Sequence, residues 1–266
     1  MKNTEHFRDE FFRGAIEDHA RAYEEHFGAR LAGLYVCGSA HRNEAVPRVS
    51  DIDLQPFIRD TYGSEDEEWR KDAHERLVAL YPSTDACCPA RSVSTLMPGQ
   101  DATGRTRDEL IAQAFRFRLR YDATRVSGED LIAGLRVVIP DARLCFESPL
   151  ALVRFGAGES ADNPTDFSLP SEPFLRVRKI ARLAVLGGAY LLMHRGEFHG
   201  FAGEYVIGDL AESNPQWRAF LSRTADLYVS PPAEAAGDLH GYTAATLEWM
   251  NWIDSQMKEA SNRALQ

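Results

Sequence analysis

Two short apolar segments joined by a polar loop constrain the fold of this chain more than any other feature. In the stretch LYVCGSAHRNEAVPRVSDIDLQPFI, residues 34–58, one apolar run ends at Cys37 before a Gly-Ser pair, and a second follows two aspartates. Apolar runs of this length, bounded by turn residues and rich in branched or aromatic side chains, indicate strands. We therefore expect strands at about residues 31–37 and 53–58.

Two aspartates, Asp51 and Asp53, stand at the start of the second segment. Side chains two residues apart on a strand point to the same face. Ionising both carboxylates at that distance is costly unless a cation lies between them. Magnesium prefers a few carboxylate oxygens and leaves other positions to phosphate oxygens and water. The pair therefore predicts a catalytic metal site for Mg²⁺, or Mn²⁺, at the exposed end of this strand.

The Gly-Ser pair predicts the other half of a phosphate site. Gly38 allows the backbone to approach a ligand closely, and N–H groups at the start of the following turn can bind anionic oxygens. The hydroxyl of Ser39 can donate as well. Nucleotide phosphates at this turn and a metal at the aspartates would then meet between the two strands.

The remaining pattern predicts an α+β protein with two parts. Helical periodicity is found at residues 4–27, 64–81 and 105–120, the second opened by a Ser64/Glu67 capping box, and a third extended segment is expected at residues 91–97. After a linker rich in Gly, Asn, Ser and Pro the pattern is helical throughout. We expect a domain with a small mixed sheet and flanking helices at residues 1–155, and an all-α helical bundle at residues 156–266.

Composition excludes several classes of partner. A net charge of −10 and a pI near 5.3 argue against broad electrostatic capture of nucleic acid. The longest apolar run, residues 183–193, is too short to span a bilayer. The four cysteines lack metal-ligand spacing, and the polar, acidic residues after Met1 lead us to expect no signal peptide. A cytoplasmic protein without membrane or nucleic-acid partners is expected, in an oligomeric state that the sequence leaves open.

The combination of these features resembles the DNA polymerase β-like nucleotidyltransferase superfamily. Its signature is a strand ending in Gly-Ser, a short connection, and Asp-x-Asp at the start of the next strand, which corresponds here to Gly38, Ser39, Asp51 and Asp53. Ser50 precedes the pair, as in many members. The segment at residues 120–131 ahead of a helical domain, and the helix at residues 175–198, are similar to those of the aminoglycoside adenylyltransferases.

This resemblance implies further site residues. A third carboxylate on a later strand would bind metal or act as the base. Asp85 is that residue if the acid directly follows the helix, whereas a position in the middle of RSVSTLM corresponds to Ser94, which carries no carboxylate. Arg182 matches an arginine that reaches the nucleotide phosphates, although pairing with an acid is the alternative. The alternating FRFRLR stretch at residues 115–120 is interpreted as a helix with solvated arginines.

The function expected from the resemblance is transfer of a nucleoside monophosphate, in the first instance AMP from ATP, to a hydroxyl of a small molecule. An aminoglycoside-type antibiotic is the most concrete acceptor. Two alternatives stay open: a nucleotide-binding regulator that kept the fold and lost the chemistry, and a toxin-type nucleotidyltransferase acting on tRNA or protein. A glycosyltransferase using Asp-x-Asp is disfavoured because its motif does not follow a Gly-Ser turn.

Overall fold

The chain forms two compact units, Met1–Pro140 and Asp141–Gln266, each described here by itself. A computed structural model describes residues 4–47, 49–82, 87–98, 106–160, 169–229 and 237–264, without the side chains of residues 107, 110 and 260–264. The division falls ahead of the boundary expected at residue 155 because helix α5, Ala142–Gly156, packs against helices of the second unit. The α+β class, with a mixed first part and a helical second part, is confirmed.

The described part of the first unit contains one four-stranded mixed sheet in the order β3-β2-β1-β4. Its strands are β1 Leu31–Cys37, β2 Asp53–Ile58, β3 Arg91–Ser92 and β4 Ala123–Gly128. Strand β1 is antiparallel to β2 and β4, whereas β3 runs parallel to β2. The predicted bounds of β1 and β2 are confirmed. The extended segment expected at residues 91–97 is wrong beyond residue 92, because Val93–Leu96 form a 3₁₀ turn.

Both faces of strand β1 are covered, which explains why every residue of this strand is buried. One face carries Leu34 and Val36, which belong to the core formed with helix α1, Glu10–Phe27, and helix α3, Ser64–Leu80. The opposite face carries Tyr35, which packs in a smaller core with Phe57, Leu96 and Leu119. Leu119 belongs to helix α4, Arg107–Tyr121. This covering fixes the position of the strand's carboxyl end.

Two helix starts differ from expectation for reasons of capping. Helix α1 begins at Glu10 rather than residue 4, because the carboxylate of Asp9 accepts the N–H of Phe12 at 3.2 Å. The Ser64/Glu67 capping box is wrong: Gly63 is the N-cap residue of α3, and its N–H donates to Oδ2 of Asp66 at 2.9 Å. Glu67 instead pairs with Arg70 at 2.6 Å.

The second unit is built around helix α6, Pro173–Arg195, which α5, α7, α8 and α9 contact. The bounds are α7 Gly203–Ser213, α8 Arg218–Val229 and α9 Leu239–Ala264. The glycines at 187 and 188 let neighbours approach α6 closely, and the indole N–H of Trp249 donates to the carbonyl of Ala184 at 3.1 Å. Among the helices that the structure describes, none is long and apolar enough to cross a membrane.

Candidate functional site

The two predicted halves of the site meet at the end of β1. Cys37, the last residue of this strand, pairs with Asp53 of β2 on one side and with Ala123 of β4 on the other. The chain then enters a short helix, α2 Gly38–His41, where the Gly-Ser turn was expected. The antiparallel β1–β2 pairing therefore brings the turn and the second aspartate to one edge of the sheet.

Gly38 and the carboxylate of Asp53 are in close contact. The φ angle of Gly38 is +66°, in the left-handed region that favours glycine. A Cβ atom at this position would lie 2.6 Å from Oδ2 of Asp53 and 3.8 Å from Nη2 of Arg118. Glycine therefore permits the turn and also leaves the space in which a backbone, a carboxylate and a guanidinium approach one another.

Asp53 is paired with Arg118, near the end of α4. Nη2 of Arg118 donates to Oδ2 of Asp53 at 2.9 Å, and the two side chains are 36% and 44% exposed. Arg116, by contrast, is fully buried and donates from Nη1 to the carbonyls of Leu96 and Pro98 at 2.6 and 2.9 Å. The interpretation of FRFRLR as a helix with solvated arginines is therefore wrong for residues 116 and 118. It holds for the exposed Arg120.

A second arginine–aspartate pair lies on the other side of β1. The Nη1 group of Arg42 donates to the carboxylate of Asp122, the residue just before β4, and its Nε donates to Oε2 of Glu44 at 2.7 Å. These three side chains are at most 15% exposed. The carbonyl of Asp122 also accepts the N–H of Gly38 at 3.2 Å. Asp122 therefore contacts both ends of helix α2: its carbonyl accepts from Gly38 at the start, and its carboxylate accepts from Arg42, the residue after the helix.

Sequence reasoning did not single out Arg42, Arg118 or Asp122. Arg118 and Asp122 reach the strand end only because β4 pairs with β1, and nothing in the local spacing of residues 115–122 reveals that pairing. A usable signal was the segment at residues 120–131 directly after the basic helix, since a strand there that joins β1 must place the preceding residues near one end of β1.

His41, the last residue of α2, ties this helix to β4. Its Nδ1 lies 2.8 Å from the hydroxyl oxygen of Thr124, and its ring stacks on His6 with 5.5 Å between ring centres. Burial lowers the pKa of His41 to about 4, and His6 and Arg42 act in the same direction. The imidazole is therefore neutral near pH 7 and contributes a hydrogen bond to β4 rather than a charge.

The carboxylates at the strand end carry negative charge that their partners compensate incompletely. Burial raises the pKa of Asp53, Arg118 opposes this, and the neighbouring Asp51 raises it again. Burial also raises the pKa of Asp122, against the attraction of Arg42 and Arg118. The thiol of Cys37 between them has a pKa raised to about 12, chiefly by burial. Any added cation at this edge would lower the free energy of the ionised acids.

The other predicted residues around the turn are placed as follows. Asp51 is exposed and precedes β2, and its charge acts on Asp53. Ser39 is buried in the first turn of α2, and its carbonyl accepts the N–H of Glu44 at 2.8 Å. Ser50 is buried too, and its hydroxyl oxygen accepts the N–H of Val46 at 2.9 Å, which closes the loop ahead of the aspartates.

Two carboxylates, the type of ligand that a divalent cation prefers, stand at the start of β2. Within the described ranges, no group of three or more His, Cys, Asp or Glu side chains could hold a metal ion. Asp51 and Asp53 provide hard oxygen ligands. The pKa of Asp53 is raised chiefly by burial and further by the charge of Asp51, and a cation bound between the two would oppose both effects. Magnesium bound by two carboxylates keeps positions for water and for substrate phosphates. These two residues would hold Mg²⁺ or Mn²⁺.

The third predicted carboxylate, Asp85, lies outside the described residues. Strand β3 pairs Arg91 and Ser92 with Phe57 and Ile58, at the far end of β2 from Asp53. Because β3 is parallel to β2, any segment that continued this pairing as far as Asp53 would have to precede Arg91 in the sequence. Ser94 lies in the 3₁₀ turn, where its hydroxyl is 2.8 Å from that of Ser92.

Arg182 belongs to the second unit, in the first half of α6. Its guanidinium carbon lies 5.8 Å from the centre of the Tyr228 ring. Arg178, one turn earlier, is buried and donates from Nε to the carbonyl of Val229 at 3.0 Å. Both arginines therefore contact helix α8 of the same unit.

Comparison with known proteins shows a likeness in fold. No model of a known protein family matches the chain, and no curated protein is detectably similar in sequence. The structure of spectinomycin adenyltransferase AAD(9) from Enterococcus faecialis, determined with ATP and spectinomycin, is similar with a TM-score of 0.52 and 12% identity. The alignment covers 90% of this chain and 98% of that one. At this identity the likeness shows a similar fold alone.

Proposed function

We propose that this protein transfers AMP from ATP to a hydroxyl of a small molecule, with an aminoglycoside-type antibiotic as the most concrete acceptor. The observation that carries the proposal is the contact between the Gly38 turn and the carboxylate of Asp53 at the end of β1. The shared fold with a structure solved with ATP and spectinomycin supports the choice of nucleotide and of a small acceptor. We place the proposed reaction in the cytoplasm, where ATP is available.

In this proposal the chain positions the triphosphate rather than forming bonds to it. Asp51 and Asp53 hold the divalent cation, and a bound Mg²⁺ would neutralise charge on the triphosphate and on the leaving pyrophosphate. Ser39 donates to a phosphate oxygen from the first turn of α2, where N–H groups lack partners within the helix. Asp85 takes the proton of the acceptor hydroxyl. Ser50 and Arg182 remain proposed nucleotide contacts.

The central strand supplies the rigidity that such positioning needs. Asp53 is the first residue of β2 and is tied across the ladder to the fully buried Cys37. Misplacement of a positioning group by an ångström is costly for an in-line displacement, since catalysis depends on alignment. Placing the carboxylate on a strand, rather than in the loop before it, keeps its backbone fixed while the site fills.

Transfer of label from α-³²P-ATP tests the function directly. ATP, GTP, CTP and UTP are supplied with Mg²⁺ and a panel of aminoglycosides, and labelled product and pyrophosphate are followed. We expect ATP to label an acceptor, and Asp53→Asn and Asp51→Asn to slow transfer by about 100- to 1,000-fold, as the loss of a fixed electrostatic group does. Asp72→Asn, on an exposed position of α3, is the matched control and leaves the rate unchanged. Full activity of Asp53→Asn would contradict the metal-binding role.

Two other functions are separated by the same label. A regulator that binds nucleotide without chemistry would retain ATP and label nothing. This function is favoured by one observation: Arg91–Ser92, the described extent of β3, contains no carboxylate. A toxin-type enzyme would label added tRNA or protein and leave every antibiotic unlabelled. Incubation with each acceptor class in parallel therefore distinguishes the three.

A further inference from the structure

We propose that Arg118 is an exchangeable counter-cation of the site: it neutralises Asp53 in the empty protein, yields that carboxylate to the incoming metal, and binds a nucleotide phosphate. This inference rests on the proposed function. It assigns to the last turn of α4 a substrate contact that the Gly-Ser and Asp-x-Asp pattern does not include. The contact is the 2.9 Å hydrogen bond from Nη2 of Arg118 to Oδ2 of Asp53.

The position of the guanidinium supports a role at the ligand rather than in the core. Its Nη2 lies 3.8 Å from the place a Cβ of Gly38 would occupy, so it stands at the turn proposed to receive phosphate. The side chains of Arg118 and Asp53 are 36% and 44% exposed. Both side chains are therefore in partial contact with water, and separating them costs less than separating a pair enclosed in the interior.

The second pair at the same strand end provides an internal contrast. Arg42 and Asp122 are 15% and 13% exposed, and Arg42 is held additionally by Glu44 at 2.7 Å. Separating a buried pair would leave uncompensated charge in the interior, which is strongly unfavourable. Of the two arginine–aspartate pairs, the one built for exchange is therefore the pair at the metal-binding aspartate.

Charge balance explains why exchange, rather than simple competition, is expected. An arginine stays protonated in proteins, so Arg118 cannot leave Asp53 by losing its proton. A divalent cation on Asp53 repels the guanidinium, and the triphosphate that arrives with the metal offers it oxygens in place of the carboxylate. Arginine pairs with phosphate through charge-assisted hydrogen bonds of the same kind.

Two binding measurements on Arg118→Gln have opposite expected signs. With Mn²⁺ alone, followed by the electron paramagnetic resonance signal of the free ion, removal of the competing cation should tighten binding about two- to fivefold. With ATP and Mg²⁺, followed by isothermal titration calorimetry, loss of the phosphate contact should weaken binding about tenfold or more. A residue with only a structural role would weaken both.

Controls keep the inference separable from the proposed function. Arg120→Gln removes the same charge from an exposed position of the same helix and should change neither affinity. Arg118→Lys keeps a cation and should weaken ATP binding with little change for Mn²⁺; it carries the test if thermal unfolding shows Arg118→Gln to be misfolded. Unchanged ATP affinity in the two Arg118 variants, or weaker Mn²⁺ binding in Arg118→Gln, overturns the inference alone. A wild-type protein that binds neither ligand overturns the proposed function with it.

Discussion

Gly38 leaves room for the carboxylate of Asp53 at the end of the sheet, since a Cβ atom on the glycine would lie 2.6 Å from Oδ2 of the aspartate. We predict that Gly38→Ala displaces this carboxylate and slows nucleotidyl transfer by about 100-fold or more, the scale on which a misplaced electrostatic group acts. Forcing alanine to a φ of +66° should also lower the free energy of unfolding by about 1–2 kcal/mol. Initial rates of label transfer and urea denaturation measure the two effects.

Gly134→Ala is the matched control for that substitution. Gly134 has a φ of +76°, but no atom lies within 4 Å of the position its Cβ would take. The variant should therefore lose about the same 1–2 kcal/mol from backbone strain and keep the wild-type rate. Equal losses of activity in both variants would mean that strain, rather than the contact with Asp53, governs the site.

The Arg42–Asp122 pair is predicted to stabilise the first unit and to hold α2 in place. Asp122→Asn removes a carboxylate that is 13% exposed and should lower the free energy of unfolding by about 3 kcal/mol, as the breaking of buried pairs does. A double-mutant cycle with Arg42→Gln should give a coupling energy of about 1–3 kcal/mol. Denaturation of the four proteins supplies these values, and a coupling near zero would show that the pair contributes no specific interaction.

Asp66 is predicted to make stability depend on pH. Its buried carboxylate accepts from Arg30 twice at 2.9 Å, from His26 at 2.8 Å and from the N–H of Gly63 at 2.9 Å. The hydrogen bonds from Arg30 are the main reason that the pKa of Asp66 lies well below its ordinary value. A depressed pKa stabilises the fold at pH values above the unfolded-state value of about 3.9 and loses this contribution as the pH falls further.

Asp66→Asn should therefore cost about 3 kcal/mol near neutral pH. The difference in unfolding free energy between variant and wild type should shrink as the pH falls below about 4. Urea denaturation across this range gives the curve. The exposed Asp72 of the same helix is the control, and Asp72→Asn should show a small difference without this trend. A difference for Asp66→Asn that grows toward acid pH would contradict the assignment.

Two glycines of the helical unit should respond to alanine with opposite signs. A Cβ on Gly188 of α6 would lie 2.6 Å from Cδ1 of Leu210 and 3.0 Å from Cγ1 of Val206, whereas Gly208 of α7 has no atom within 4 Å. Alanine gains up to about 1 kcal/mol in helix propensity, but overpacking costs about 1–3 kcal/mol. Thermal unfolding should thus show Gly188→Ala destabilised and Gly208→Ala stabilised. Stabilisation of both would mean that the α6–α7 contact yields easily.

The strands at residues 31–37 and 53–58 could be predicted from sequence because their signals are local. Apolar runs ended by Gly-Ser and opened by Asp-x-Asp define both strands, and their antiparallel pairing places Cys37 opposite Asp53. The closeness of the turn and the aspartate follows from that register. The bounds of helix α5 were not predicted, and Pro149 within it is a residue that usually argues against a helix interior.

The arginines of the site could not be predicted, since their partners are distant in the chain. Arg118 lies 65 residues from Asp53 in sequence and reaches it only after β4 has paired with β1. In the sequence, the arginines at 116, 118 and 120 look alike, yet one is buried, one is paired at the strand end and one is exposed. Burial of this kind depends on tertiary packing, which periodicity within one helix does not reveal.

The buried thiol at the end of β1 has a consequence for chemical labelling. Cys37 is inaccessible and its pKa is raised to about 12, so alkylating reagents, which attack the thiolate, find almost none of it in the folded protein. Its modification must wait for β1 to separate from a neighbouring strand. The rate of alkylation at Cys37 therefore reports how often the sheet opens. Any ligand that bridges the two neighbouring strands should slow this alkylation.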